Sequence, residues 1–316
     1  MEDATESPPS PALVHAGLLA VQLGFASHYV VSKIAVRELS PAGLALVRAA
    51  VAAAVMLAVH VGARGLPRVP WRDALKLAGC AALGIAGNQL LFFSGLRHTT
   101  ASNASVLVTT IPVFTLLVSL ALRRERATAR GILGIALALS GVIYLLGAEA
   151  LTLGPETVLG DLMIVGNSLF YGTYLVLVAD LARRHGSMTA VVWLFGFGAL
   201  WVAPFGAGAL VADAPSVRGT TWWLVAYIVL VPTIFTYLTN AWALRHAPPS
   251  IVAVYIYLQP VGATALAVFF LDETPTPRLF GAAALVFAGI FLVTRRAASR
   301  VAEGGAPEAP GEAERG

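Results

Sequence analysis

Polar and charged residues in this chain are confined to short breaks between long apolar runs. The runs fall at about 12–34, 41–62, 73–95, 101–123, 130–147, 160–182, 188–209, 221–243, 250–271 and 278–294, each roughly 17–23 residues long. As helices rising about 1.5 Å per residue, they match the ~30 Å hydrocarbon core of a bilayer. Spanning strands would be about half as long and would alternate in polarity, which these runs do not. The pattern predicts an all-α integral membrane protein with ten transmembrane helices. Residues 1–11 carry no basic segment, and no small-residue cleavage site follows the first run, so that run is expected to stay as a helix. The polar segment 1–11 and the charged, Gly/Pro/Glu-rich segment 295–316 are expected to be disordered.

One stretch, Leu96–Leu145, occurs twice. Shifted by 148 positions it falls on Leu244–Val293 without a gap. Leu96, Arg97 and His98 fall on Leu244, Arg245 and His246; Pro112 falls on Pro260 and Glu125 on Glu273. Thr128, Arg130 and Gly141 fall on Thr276, Arg278 and Gly289. Such a register marks an internal duplication, with halves at 12–147 and 160–294 joined by residues 148–159. Five runs per half is an odd number, so the second half must enter the membrane upside down. The expected architecture is therefore two inverted-topology five-helix repeats around a central cavity, the usual ground plan of secondary transporters.

Composition sharpens this picture: the chain is 58% apolar and only 12% charged, well below the roughly one-quarter charged residues of a soluble domain. A single cysteine, Cys80, excludes a disulfide framework and a cysteine-rich metal site. The net charge of +4 sets orientation rather than a partner. With both termini in the cytoplasm, fifteen Lys and Arg lie inside, clustered around Arg64–Lys76, Arg123–Arg130, Arg183–Arg184, Arg245 and the C-terminal tail. Five lie outside (Lys33, Arg37, Arg97, Arg218 and Arg278), and Arg48 is left within a run. The arginine- and alanine-rich usage points to a GC-rich bacterial genome, and the expected location is a bacterial inner membrane.

The segments Phe92-Phe93-Ser94-Gly95-Leu96, Ala101 to Leu107, Pro112-Val113-Phe114-Thr115 and Arg124-Glu125-Arg126 carry a family likeness. Gln259-Pro260-Val261 and Leu271-Asp272-Glu273 continue it in the second half. With ten runs in two halves, the chain resembles the EamA-type members of the drug/metabolite transporter superfamily from about 12 to 294. The resemblance implies a basket of ten helices around a central cavity, with the last helix of each half at the periphery. It implies transport of a small molecule without naming it, since members export amino acids, metabolites and drugs. Arg97-His98-Thr99-Thr100 departs from the small or glycine residues more usual there.

Arg48 is the sharpest candidate. It lies eight residues past Ser40, roughly 12 Å below the surface, where a charge is costly unless it faces a cavity or a partner. It could form a fork for a carboxylate or phosphate, or be a structural arginine bonded to helix carbonyls. His28 and Lys33 on the first run could assist it; hydrogen bonding between helices and snorkelling are their bland alternatives. Uncharged polar residues recur at helical spacing: Asn167, Tyr171 and Tyr174; Thr233, Tyr237 and Asn240; Asn103, Val106 and Thr110; Tyr255 and Gln259; with Asn88 and Gln89 on the third run. Each alone could be interhelical glue, but five such stripes are expected to line a wet cavity suited to an amphipathic solute. Pro112 and Pro260, equivalent and about midway along their runs, are expected to kink or hinge them.

No Asp or Glu lies deep in a run, there is no phosphate-cradling glycine loop, and no catalytic or metal set can be assembled. No cofactor, metal or nucleic acid is expected, and an intramembrane enzyme is disfavoured. The partners are a small-molecule substrate and the lipid bilayer; a homodimer stays open. The expected function is a secondary transporter exporting a small amphipathic metabolite, amino acid or drug by alternating access. The alternative is a facilitator or exchanger of phosphorylated or nucleotide-linked anions.

Overall fold

The computed structural model describes residues 9–99, 104, 107–126, 128–146, 158–262 and 277–302. Among them the chain is helical, with no strand. α1 (Pro11–Ala35) and α2 (Pro41–Arg64) start alike, on a serine followed by proline. Ser10 accepts from the Leu13 amide and Ser40 from the Gly43 amide. The serines satisfy free amides of the first turn, while proline there lacks only an N–H that has no helical partner. α2 stops at Gly65, whose φ of +76° favours glycine.

The third run is one continuous helical stretch from Trp71 to His98. It comprises α3 (Trp71–Ala81), a π-helical segment Ala82–Gly87 and α4 (Asn88–His98). The eighth repeats this arrangement in α9 (Gly219–Val229), a π segment Leu230–Phe235 and α10 (Thr236–His246), as numbered after the intervening helices. Those are α5 (Ile111–Ala121), α6 (Ala129–Leu146), α7 (Val158–His185) and α8 (Ser187–Asp213). α11 (Pro249–Val254) passes into a 3₁₀ turn at Tyr255–Tyr257, and α12 covers Pro277–Ala302. α12 continues beyond residue 294, where the tail was expected to begin.

Among the described residues six helical stretches are long and apolar enough to cross a bilayer, and shorter apolar helices cover Ile111–Ala121, Ala129–Gly141 and Ala283–Val293. Large apolar side chains such as Val59, Leu200, Phe205 and Phe287 point outward, an arrangement stable only in lipid.

Two pairs of helices at equivalent positions of the two halves, α2 with α8 and α6 with α12, pack against each other and run antiparallel. In α2 and α8, Gly43 lies beside Asp213 while His60 Nε2 is 3.0 Å from Thr189 Oγ1. In α6 and α12, Gly134 meets Gly289 while Gly281 meets Tyr144. A Cβ added to Gly289 would lie 2.6 Å from the Gly134 carbonyl oxygen, so this crossing requires the smallest residues. α1 packs on α10, as α4 packs on α7. Polar contacts gather at two ends of the bundle. The Ser40 end holds Glu38–Arg218 and the Asp213 carboxylate on the Ser40 amide. The Arg64 end holds Asp73 with Arg184 and His185, Arg124 with Asp180, and Glu125 on Ser250.

Candidate functional site

Between the halves lies a cavity partly open to its surroundings, about 460 Å³ of empty space counting the solvent at its mouth. Its floor and walls come from α1, α2, α4, α7, α10 and the broken helices around Val108–Ile111 and Ile256–Gln259. Arg48 is 3% exposed and faces this space. Its Nε donates to Thr233 Oγ1 at 2.5 Å, its Nη2 to the Pro232 carbonyl at 3.0 Å, and its Nη1 lies 3.2 Å from His28 Nε2. The guanidinium also sits 5.8 Å from the Phe93 ring centroid, a cation–π contact.

These bonds fix the histidine. Guanidinium can only donate, so His28 Nε2 must accept and the ring proton sits on Nδ1. Nδ1 then donates to Ser32 Oγ at 2.8 Å, while the ring stacks on Phe92 at 5.3 Å. His28 is neutral in this arrangement. Every partner of Arg48 is therefore uncharged, and no carboxylate lines the cavity among the described residues.

The π segments explain where Arg48 finds its acceptors. Pro232 has no N–H for the carbonyl of Ile228 four residues back; Thr233 Oγ1 donates to that oxygen instead, at 2.6 Å. The widened turn leaves the Pro232 carbonyl accepting from Thr236 Oγ1 at 2.8 Å and from Arg48. The equivalent residue of the first half is Gly84, whose carbonyl accepts from Tyr237 Oη at 3.2 Å. Each π segment thus gives one carbonyl to a side chain of the opposite half. π-bulges are rare and recur at functional sites.

Of the residues singled out from sequence, His28, Arg48, Asn88, Asn167, Tyr171, Tyr237 and Gln259 line the cavity. Asn167 Nδ2 donates to the Asn88 carbonyl at 2.8 Å, and Asn240 Nδ2 to Tyr171 Oη at 3.2 Å from one layer behind. Tyr174 is buried in an aromatic cluster with Tyr171 and Tyr237. Gln89 is buried, has no hydrogen-bond partner among the described residues and does not line the cavity. Thr110 donates to the Leu107 carbonyl, and Tyr255 Oη meets His15 Nδ1 at 2.5 Å, both away from the cavity lining. Lys33 also lies off the cavity: its Nζ donates to the carbonyls of Leu96 and Thr99, closing the end of α4. Arg183 does the same for Leu244, the duplicate of Leu96. Asn103 lies outside the described residues.

Pro112 does not kink a continuous helix; the chain breaks at the turn Thr109–Thr110 and Pro112 opens α5. Pro260 follows the Tyr255–Tyr257 turn. The residues four before each proline, Val108 and Ile256, are duplicates of each other and both line the cavity. Phe25 and Tyr29 also line the cavity and were not among the residues singled out from sequence. Tyr29 Oη donates to Gln259 Oε1 at 2.5 Å, and Gln259 Nε2 to Gln22 Oε1 at 2.7 Å. The i, i+4 spacing of Phe25 and Tyr29, on the face that also carries His28, was the available signal.

The EamA-like transporter family matches the chain twice, at residues 13–147 and 158–295. A protein of Archaeoglobus fulgidus described as an uncharacterized transporter is 27% identical over 283 residues, covering 89% of this chain and 97% of that one. A Streptantibioticus cattleyicolor protein described as a probable terminal-alkyne amino-acid exporter is 28% identical over 295 residues, covering 92% and 96%. The Escherichia coli inner membrane transporter YedA is 26% identical over 279 residues, covering 88% and 89%. A crystal structure at 24% identity overlays with a TM-score of 0.72 across 91% of this chain and 98% of its own, which shows the shared fold. The relatives are transporters rather than enzymes, the two matched segments coincide with the duplicated halves, and the chain belongs to the EamA-like transporter family.

Proposed function

We propose that the protein is a secondary transporter that exports a small amphipathic solute, with the solute's anionic group bound at Arg48. In this reading ten helices cross a bacterial inner membrane as two inverted halves, with the Arg64 end and both termini in the cytoplasm. The antiparallel packing of duplicated helices supports the inversion, and the Lys/Arg bias of the loops supports the orientation. The observation that carries the solute assignment is the buried, cavity-facing Arg48, held only by neutral acceptors. Asn88, Asn167, Tyr171, Tyr237 and Gln259 would meet the solute's polar groups, and Phe25, Phe92, Val108, Ile111 and Ile256 its apolar body. Alternating access then moves one half against the other around a fixed site.

The test is efflux from proteoliposomes loaded with mixed amino acids and organic anions, with and without ion gradients. Selective loss of one solute class, abolished by Arg48→Gln at equal protein content, is the expected outcome. Saturable transport with an unchanged KM in that variant would make Arg48 structural.

A further inference from the structure

The cavity's charge balance narrows the solute beyond the transport reading, on which this step rests. Arg48 brings one fixed positive charge, and its neighbour His28 is held neutral by donating to Ser32 and accepting from Arg48. The other polar groups in the lining are phenols and carboxamides. Along the sequence, no apolar run contains Asp or Glu away from its ends. Among the described residues the site therefore has a partner for an anion and none of opposite charge for a cation.

The guanidinium's donors are also rationed. Of its five N–H groups, three are committed to Thr233, Pro232 and His28. Two remain, on Nη1 and Nη2, enough for one planar, bidentate acceptor. A monocarboxylate satisfies them and leaves the cavity neutral. A phosphate dianion would leave a net negative charge in a low-dielectric space. A zwitterionic amino acid would leave a net positive charge and an ammonium group with three donors, close to the guanidinium and facing neutral oxygens. Burying a charge without an opposite partner is strongly unfavourable.

We infer that the cavity selects a solute of net charge −1, an apolar carboxylic acid whose amine is absent or acylated, over the free amino acid. The matched probes are 4-methylpentanoate, N-acetylleucine, leucine and isoamylamine, which share an apolar body and differ in charge. Binding to purified full-length protein is read by thermal shift, and transport by efflux from proteoliposomes. The two carboxylates are expected to bind at least about tenfold more tightly than leucine, with isoamylamine weakest. In Arg48→Gln the carboxylate preference should vanish; Arg48→Lys serves as the second variant if that protein fails to fold, and the wild-type series stands without either. Leucine binding as tightly as N-acetylleucine, in an Arg48-dependent manner, would overturn the charge selection and leave the transport reading intact. Carboxylates that bind equally well without Arg48 would overturn its role. No binding or movement of any probe would overturn both.

Discussion

Arg48 is held in the membrane because three of its five N–H groups and one face of its guanidinium meet an oxygen, a nitrogen or a ring. Thr233 is the most exacting of these partners, since one hydroxyl serves two buried groups: it accepts from Arg48 Nε and donates to the Ile228 carbonyl. Thr233→Val keeps the shape and removes both bonds. An unpaired buried donor costs about 1–3 kcal/mol, so the variant should unfold at lower temperature in detergent and transport with a raised KM. Thr233→Ser should recover both properties. Unchanged melting and KM in Thr233→Val would mean that the guanidinium does not depend on this contact. Arg48 itself was legible from the sequence, because a lone charge inside an apolar run has few explanations. Its partners were not: Thr233 stood in a polar stripe with Tyr237 and Asn240, and nothing in its spacing tied it to a residue 185 positions away.

At the scale of elements, long apolar runs and a gapless duplication were readable because membrane helices carry their period and length in composition. The π segments were not. Ala82–Gly87 contains no residue that forbids an ordinary helix; Pro232 was the one available sign in the second half, and its consequence depends on Thr233 capturing the orphaned carbonyl. Of the mid-run prolines, read as kinks or hinges, Pro112 opens α5 after a turn, and Pro260 lies in the helical residues 258–262 that follow a 3₁₀ turn. Small residues on the last helix of each half let α6 and α12 cross closely, and their effect can be measured. At Gly289 a Cβ would lie 2.6 Å from the Gly134 carbonyl oxygen and 2.7 Å from Ala138 Cβ, whereas at Gly62 it would meet nothing within 4 Å. Gly289→Ile should therefore lower the yield of folded protein, since overpacking costs about 1–3 kcal/mol and here presses on backbone. Gly62→Ile should be tolerated. Equal yields would mean that α6 and α12 do not need their close crossing.

For the whole molecule, contacts between the halves tie the bundle together at both ends, and the proposed alternating access requires that they open in turn. At the Ser40 end Arg218 donates to Glu38 through its side chain and its backbone amide. Those hydrogen bonds, the side-chain one first, hold the Glu38 carboxyl down at about 2, from an ordinary 4.5. A carboxylate with a lowered pKa stabilises the fold above its unfolded value and loses that contribution as pH falls through the folded one. The pair is thus intact at neutral pH and weakens only between about 4.5 and about 2. Acidification within the physiological range will not open this end, and a substitution is needed. At the other end Asp73 accepts from Arg184 at 3.0 Å and from His185 at 2.8 Å. A cysteine replacing the cavity-lining Asn88, with Cys80→Ala, reports access from each side of a membrane vesicle. Glu38→Gln should raise its labelling from the Ser40 side, and Asp73→Asn from the Arg64 side. Surface ion pairs are individually weak, so each change should be a few fold rather than complete. If both substitutions raise labelling from the same side, these contacts do not act as opposed closures and the halves move on other constraints.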